Sequence, residues 1–253
     1  MKVFNFVFFV LILNLSAFSA DLPENLEIPT CAAIKADSGH FVSHKNFYSL
    51  CYRENYEQSE WVAYKLSSDD LDKNTERTED FRSDSFIPTG SAVLEDYRKS
   101  GFDRGHLAPA ADFAFSEEAM SETFLMSNMS PQTAGFNRGI WAKLEKQVRS
   151  WAGKFGEIYV VTGPILEKNR YETIGVNNVA VPEFFYKALA VPHGERVELI
   201  AFILPNRSSK QPLSDFAVSI DKLEERTGID FFPALDDATE TVAEKTVNEK
   251  VWF

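Results

Sequence analysis

The 253-residue sequence has few of the residues that build metal clusters and disulfide-rich scaffolds. It contains two cysteines, Cys31 and Cys51, and four histidines. Two cysteines without neighbouring ligands do not complete a tetrahedral zinc site, and the sequence has no cluster of Asp and His residues of the kind that two-metal sites need. In an oxidising compartment an even number of cysteines indicates a disulfide, so we hypothesise that Cys31 pairs with Cys51 and closes a loop of about 20 residues.

Long apolar runs are absent after the first twenty residues. Lys2 is followed by a short apolar run and then by small residues that end at Ala20, a pattern typical of a secretory signal peptide cut after Ala20. An uncleaved anchor is the alternative, but the run is short for a membrane span and contains two asparagines. The sequence therefore predicts a signal peptide over 1–20, one domain over 21–253, export to the periplasm or the medium, and no membrane association after cleavage.

Basic charge is scarce relative to acidic charge. The chain has 26 Lys and Arg against 38 Asp and Glu, a formal net charge of -12, which loss of Lys2 would change to -13. Taken alone, this balance disfavours a nucleic-acid partner. The hydrophobic content of 44% is sufficient for a large core and disfavours disorder.

Several segments have the periodicity of secondary structure, without repeats or regular alternation of strands and helices. Strands are predicted at 61–66, 158–162, 184–190 and 197–204, and helices at 93–101, 116–126 and 137–153. Residues 21–60 and 127–136 have the composition of irregular or turn-rich segments. This distribution predicts an α+β fold with a mainly antiparallel central sheet flanked by helices.

The predicted helix at 137–153 carries a polar residue on its apolar face. At about 100° per residue, Trp141, Leu144, Val148 and Trp151 share one face, and Asn137 lies at the N-terminal end of that face. An amide directed at a core needs a polar partner. That partner is either a backbone group of a neighbouring loop or a hard cation ligated by the amide oxygen.

A second polar feature is the run DRGH, Asp103 to His106, which lies between apolar residues. Gly105 is expected to allow an unusual backbone turn that directs His106 away from its strand. An imidazole is the natural base near neutral pH, and Arg104 could hold an anion through its planar guanidinium. The alternative is a buried ion pair beside a histidine with its hydrogen bonds satisfied.

Together these motifs are much more specific than either alone. The run FDRGHLAPAADF begins at Phe102, the run SNMSPQ begins at Ser127, and the run FNRGIW begins at Phe136. In this order they resemble the DNA/RNA non-specific endonucleases of the ββα-metal class, which include endonuclease G-like and secreted bacterial members. The resemblance covers roughly 60–235 and implies a ββα-metal active-site motif within the α+β fold.

The resemblance also implies roles for individual residues. His106 corresponds to the general base, and Asn137 to the only direct protein ligand of the catalytic metal. Glu145 corresponds to the residue that holds metal-bound water, and Arg149 to an arginine that contacts phosphate.

Three further site residues follow from the same resemblance. Arg104 belongs to the DRGH motif itself, and Asn128 matches an asparagine that supports the site. Family members also use an arginine upstream of DRGH, for which Arg77 and Arg82 compete, with a slight preference for Arg82.

The sequence thus predicts an exported endonuclease that hydrolyses phosphodiester bonds of DNA and RNA with little sequence preference. Mg²⁺, or Mn²⁺ in its place, would stabilise the leaving 3′ oxygen. The resemblance also implies products with 5′ phosphates. Local charge reduces the conflict with the acidic net charge, since residues 137–154 contain five basic side chains and one acidic one. The alternatives are a non-catalytic nucleic-acid-binding protein on the same fold and a phosphodiesterase of small substrates. No feature of the sequence indicates an oligomeric state.

Overall fold

A computed structural model describes residues 22–31, 39–44, 47–194 and 196–253. The strands are β1 Gly39–His44, β2 Tyr48–Arg53, β3 Gln58–Ser67, β4 Asp103–His106, β5 Met129–Gln132, β6 Glu157–Pro164, β7 Thr173–Ile174, β8 Val179–Ala180, β9 Phe184–His193, β10 Arg196–Pro205 and β11 Ala217–Val218. The α-helices are α1 Leu94–Tyr97, α2 Glu117–Glu122, α3 Ala142–Phe155, α4 Ile220–Thr227, α5 Asp237–Ala243 and α6 Glu249–Trp252. The predicted signal peptide and its cleavage site lie outside the described residues. A search of the described residues finds no helix long and apolar enough to cross a membrane.

A seven-stranded sheet in the order β1-β2-β3-β6-β9-β10-β11 forms the centre of the fold. Every neighbouring pair in this sheet is antiparallel. The four strands predicted from the sequence lie within β3, β6, β9 and β10. The predicted α+β class with a mainly antiparallel sheet is therefore confirmed.

The two faces of the sheet carry separate apolar cores, because alternate residues of a strand point to opposite faces. On β3, Val62 and Tyr64 join one core, and Trp61 and Ala63 join the other. The first core is closed by the apolar face of α3, and the second by α4 and the residues around it. The four apolar residues predicted to share one helix face are buried in the first core.

The predicted helix over 137–153 differs from the observed one at both ends. A turn of π-helix over Phe136–Trp141 precedes α3, and Gly139 within it has non-helical angles of φ -112 and ψ -107. The helix ends at Phe155, two residues later than expected, and the next residue, Gly156, has a φ of 89 that favours a residue without a side chain. The start predicted for α2 is confirmed, since the Ser116 side chain accepts a hydrogen bond from the Ala119 amide.

The segment 21–60 was expected to be irregular, but it contains β1 and β2, which pair along their whole lengths. A disulfide joins Cys31 to Cys51 with a Cα–Cα distance of 5.6 Å, so this hypothesis is confirmed. The bond attaches the segment before β1 to the buried strand β2.

The segment 127–136 also departs from the expected turn-rich link. Its residues Met129–Gln132 form β5, which pairs antiparallel with β4 in a two-stranded sheet that places His106 opposite Met129. The π-turn and α3 follow β5 directly. The order strand, strand, helix is the predicted ββα arrangement, and it brings the three sequence motifs together.

Candidate active site

His106 ends β4 in a largely aromatic environment. Its ring centroid lies 5.0 Å from that of Phe124 and 5.8 Å from that of Phe81. The side chain is 8% exposed, and its Nε2 has no hydrogen-bond partner among the described residues. Burial lowers the pKa of His106 to about 3, and the positive charges of Arg77 and Arg104 act in the same direction. The imidazole is therefore neutral near pH 7, with one ring nitrogen unprotonated.

The role expected of Gly105 was wrong. Gly105 lies in the extended strand β4, and its φ is outside the left-handed region. A Cβ at this position would approach the Gln132 side chain to 2.1 Å. Glycine is needed here because the side chain of the paired strand occupies the space, and not because the chain turns.

Asn128 is fully buried and fixes the chain that follows His106. Its Oδ1 accepts a hydrogen bond from the Ala108 amide at 2.9 Å, and its Nδ2 donates to the carbonyls of Ala108 and Thr123 at 2.9 and 2.8 Å. The Leu107 amide also donates to the Asn128 carbonyl at 3.0 Å. Asn128 thus supports the backbone next to His106 from within the core.

Asp103 connects β4 to the turn that begins the helix. Its Oδ2 accepts from Asn137 Nδ2 at 2.9 Å and from Arg138 Nε at 2.9 Å, and its Oδ1 accepts from Arg138 Nη2 at 2.7 Å. Burial alone would raise the pKa of Asp103, but the bonds from Arg138 and Asn137 hold it below its usual value. Because the Asn137 nitrogen faces Asp103, its amide oxygen is the atom directed elsewhere and able to ligate a cation.

Glu145 lies in the first turn of α3 and interacts electrostatically with a group of charged side chains that includes Lys187, Asp112 and Arg149. Burial raises its pKa to about 7, against the opposing effect of Lys187. Arg149 Nη1 donates to Asp112 Oδ1 at 2.6 Å, and the Tyr64 hydroxyl donates to Asp112 Oδ2 at 2.7 Å. One nitrogen of Arg149 is thus held by Asp112, while about a quarter of its side chain, 24%, stays exposed.

Lys187 is a component of this group that sequence reasoning missed. The side chain is fully buried, and its Nζ donates to the Leu107 carbonyl at 3.3 Å and to Thr162 Oγ1 at 3.1 Å. It also lies 4.5 Å from the Trp141 ring centroid, and burial lowers its pKa to about 8. The signal in the sequence is a lysine in the middle of the apolar run FFYKALA, where an unpaired ammonium would be costly.

A groove of about 610 Å³ lies between α1, β4 and the π-turn that precedes α3. Asn137 lies in its lining together with four arginines and three acidic residues, which are Arg77, Arg98, Arg104, Arg138, Glu79, Glu95 and Asp103. The Arg104 guanidinium lies 4.0 Å above the Phe81 ring centroid, in a cation–π contact that fixes it at the groove wall. The lining thus has one more basic than acidic side chain although the chain as a whole is acidic, and two of its arginines pair with its acids, Arg77 with Glu79 and Arg138 with Asp103.

The preference for Arg82 over Arg77 is not supported by the geometry. The Arg82 guanidinium donates to the Ser121 carbonyl at 2.8 Å and pairs with Asp80 and Glu122 at 3.0 and 3.3 Å, away from the groove lining. Arg77 also pairs with a carboxylate, that of Glu79 at 2.5 Å, but it lines the groove and acts electrostatically on both His106 and Glu145. An isolated parallel β-bridge pairs Arg82 with Leu125, and the Arg82 side chain contacts α2 instead of the groove.

The structure thus brings Arg104, Asn137 and Arg77 together on one groove, with His106 and Glu145 within electrostatic reach of Arg77. An amide oxygen and a carboxylate are hard oxygen donors, the kind that Mg²⁺ prefers. By donor chemistry the Asn137 oxygen, which lines the groove, and the Glu145 carboxylate on α3 therefore suit a hard divalent cation that keeps much of its shell for water and substrate.

Comparison with known proteins shows which family the chain belongs to. A sequence profile of the DNA/RNA non-specific endonucleases matches residues 33–238. Nuclease C1 of Cunninghamella echinulata var. echinulata is 40% identical over 209 residues, covering 76% of this chain and 82% of that protein. Human mitochondrial endonuclease G is 38% identical over 200 residues, covering 74% and 67%.

Solved structures agree with the sequence comparison. The crystal structure of an EndoG/EndoGI complex, which concerns the inhibition of EndoG, has a TM-score of 0.73 and 34% identity, covering 79% of this chain and 88% of that one. By sequence and by fold, the chain belongs to the DNA/RNA non-specific endonuclease family.

Proposed function

We propose that the protein is an endonuclease that hydrolyses phosphodiester bonds of both DNA and RNA in the groove lined by Asn137 and Arg104. The observation that carries the proposal is the hydrogen bond from Asn137 Nδ2 to Asp103 Oδ2 at 2.9 Å. This bond holds Asn137, a potential metal ligand, against the strand that ends at His106, and Arg104 lines the same groove. Relatives named as nucleases support the same activity.

In this proposal His106 is the general base. The neutral imidazole accepts a proton from the water that attacks phosphorus, and the aromatic rings of Phe81 and Phe124 hold it in a single orientation. Asn128 keeps the backbone after His106 fixed, so the imidazole does not have to reorganise during the reaction. A negatively charged phosphate in the groove would raise the pKa of His106 and make it a stronger base.

The charge that builds up on the phosphate needs compensation from this chain. Arg104 and Arg77 line the groove, and the partly exposed Arg149 acts electrostatically on Glu145, so each would donate charge-assisted hydrogen bonds to phosphate oxygens. When bound by the Asn137 oxygen, with Glu145 holding its water, Mg²⁺ or Mn²⁺ would polarise the phosphate and stabilise the departing 3′ oxygen. Products would carry 5′ phosphates.

Contacts to phosphate carry no sequence information. The groove lining that we assign to substrate consists of arginines and Asn137, which suit the backbone of a nucleic acid. We therefore expect cleavage with little sequence preference on both DNA and RNA.

We propose export after cleavage behind Ala20. Support comes from the charge and apolar pattern of 1–20 and from the Cys31–Cys51 disulfide, which is typical of an oxidising compartment. The competing location is mitochondrial, the compartment in the name of human endonuclease G. Fractionation with N-terminal sequencing separates the two: we expect Asp21 as the first residue of an exported protein, and recovery in mitochondria would contradict export.

The activity is tested by incubating the protein without 1–20 with supercoiled plasmid and with structured RNA, in Mg²⁺, Mn²⁺ or EDTA. We expect nicked and then linear plasmid, followed by fragments, with RNA degraded in parallel and both reactions stopped by EDTA. End-labelling should detect 5′ phosphates. Intact plasmid and RNA in both metals would refute the proposed function.

A further inference from the structure

Three carboxylates form a separate cluster on the sheet face opposite to the catalytic groove. Asp221 and Glu224 lie three residues apart on α4, and therefore on one side of that helix, and Glu244 follows α5. Carboxylate oxygens from all three lie within 4.8 Å of one another. The Asp221 amide also donates to the Glu244 carbonyl at 3.3 Å, so the two segments meet at this point.

Glu244 differs from the other two residues of the cluster, because it is buried and one of its carboxylate oxygens accepts no hydrogen bond from the described residues. The side chain is 7% exposed, and its Oε1 has no hydrogen-bond partner among the described residues. The basic side chains of α4 are engaged elsewhere, Lys222 with Glu225 and Arg226 with Glu167. A buried carboxylate in this position is stable only when it is protonated or meets a cation.

Electrostatics agree with the geometry. Burial raises the pKa of Glu244 to about 8, and nearby carboxylates add to the effect, in the order Glu224, Glu240, Asp221 and Asp230. The pKa of Glu224 is raised as well, mainly by burial, although its side chain accepts a hydrogen bond from the Phe231 amide at 2.8 Å. The cluster thus holds more negative charge than its surroundings neutralise.

We propose that Asp221, Glu224 and Glu244 form a structural binding site for a divalent cation, with Ca²⁺ as the preferred ion. Ca²⁺ accepts six to eight oxygens at about 2.3–2.6 Å, with carboxylates in either monodentate or bidentate mode. Two oxygens on opposite sides of the ion are then about 5 Å apart, so the observed spacing needs little rearrangement. Mg²⁺ requires a tighter octahedron that this partly exposed set of three does not impose.

The site would join α4 to the end of α5 beneath the sheet. Without the cation, the pKa of Glu244 is higher in the folded protein than in the unfolded chain. The resulting stability is fully present below about pH 4.5 and is lost as the pH rises through about 8. With the cation bound, the ionised carboxylate is paired instead, so stabilisation by Ca²⁺ grows over the same pH range.

The test measures Tm at about pH 8 with increasing Ca²⁺, to about 10 mM, above the Kd of about 10⁻⁴–10⁻³ M found for extracellular Ca²⁺ modules. The protein carries Asn137→Ala, so that binding at the catalytic groove does not contribute. We expect Tm to rise with Ca²⁺ and to rise more at pH 8 than at pH 5. Glu244→Gln should abolish the rise, while Glu225→Gln, an exposed residue of the same helix, should leave it unchanged.

Asp221→Asn is the second variant, because Asp221 is exposed and its substitution is compatible with folding. It should weaken Ca²⁺ binding about tenfold by calorimetry, through loss of one of three charged ligands. An unchanged Tm in Ca²⁺, an equal rise in the Glu244→Gln variant or, should that variant not fold, an unchanged affinity in Asp221→Asn would overturn the proposal. An equal or larger rise with Mg²⁺ would overturn the preference for Ca²⁺.

Discussion

Lys187 shows how a single buried charge can tune a carboxylate at the site. Its ammonium opposes the rise in the pKa of Glu145 and also donates to the carbonyl of Leu107, the residue after His106. We therefore treat Lys187 as a positioning residue that acts through Glu145 and the backbone. This role accounts for a lysine in the core of β9.

Replacing Lys187 with Met should raise the pKa of Glu145, because a positive charge that favours the carboxylate is removed. The kcat/KM should fall on the acid side of neutrality as Glu145 takes up a proton, and this decline should move to higher pH in the variant. A pH profile of kcat/KM measures the shift, with exposed Lys143→Met as the control. A profile that superimposes on that of the unmodified enzyme would contradict the role of Lys187.

The two arginines upstream of DRGH should behave differently on substitution. Arg77→Ala removes a charged group of the groove and should lower kcat/KM about 10–100-fold, equivalent to about 1.5–3 kcal/mol for a charge-assisted bond. Arg82→Ala should instead lower Tm and leave kcat/KM nearly unchanged, because Arg82 is bound to α2. The reverse pattern would show that Arg82 is the arginine that contacts phosphate.

At the scale of secondary structure, the periodicity of apolar residues predicted the features that are determined by residues close together in the sequence. The spacing of Trp141, Leu144, Val148 and Trp151 identified the buried face of α3 correctly. It did not predict the π-turn before the helix, in which Phe136 and Ile140 are buried in the first core. Angles calculated for a straight helix therefore predicted that Asn137 faces the core. In the structure Asn137 is instead half-buried beside Asp103.

Other features of the site depend on contacts between distant residues. Asp103 and Asn137 are 34 positions apart, so no periodicity links them. The strand β5 contains Pro131, which is disfavoured in strands and tolerated here because the two-stranded sheet has only edges. The family resemblance predicted the grouping of these residues, and the pairing of β4 with β5 explains it.

The disulfide should stabilise the N-terminal part of the fold. It closes a loop of 20 residues, so replacing both Cys31 and Cys51 with Ser should lower the free energy of unfolding by about 3 kcal/mol. Urea denaturation gives the value, and the unmodified protein in reductant is the matched control. Equal stability in the oxidised, reduced and substituted forms would contradict a structural role for the bond.

At the scale of the whole molecule, charge is distributed unevenly. The formal net charge is -12, yet four arginines line one groove. The acidic surface should slow the approach of a nucleic acid, while the groove attracts the phosphate at the site of reaction. We therefore expect weak binding in which few phosphates are contacted.

The salt dependence of DNA binding measures how many phosphates the protein contacts. If Arg77, Arg104 and Arg149 each neutralise one phosphate, the plot of log K against log salt for duplex DNA should have a slope of about -3. The His106→Ala variant allows binding to be measured without cleavage. A slope far steeper than this would indicate that further basic side chains, among them Arg98 and Arg138 of the groove lining, also contact phosphates.

The most direct test of the central claim is the kcat/KM of His106→Ala on DNA, measured beside exposed His193→Ala. We predict a loss of about 10²–10⁴-fold for His106→Ala, the usual contribution of a general base, with an unchanged Tm, and near-normal activity for His193→Ala. A folded His106→Ala enzyme that cleaves DNA at the normal rate would contradict the account.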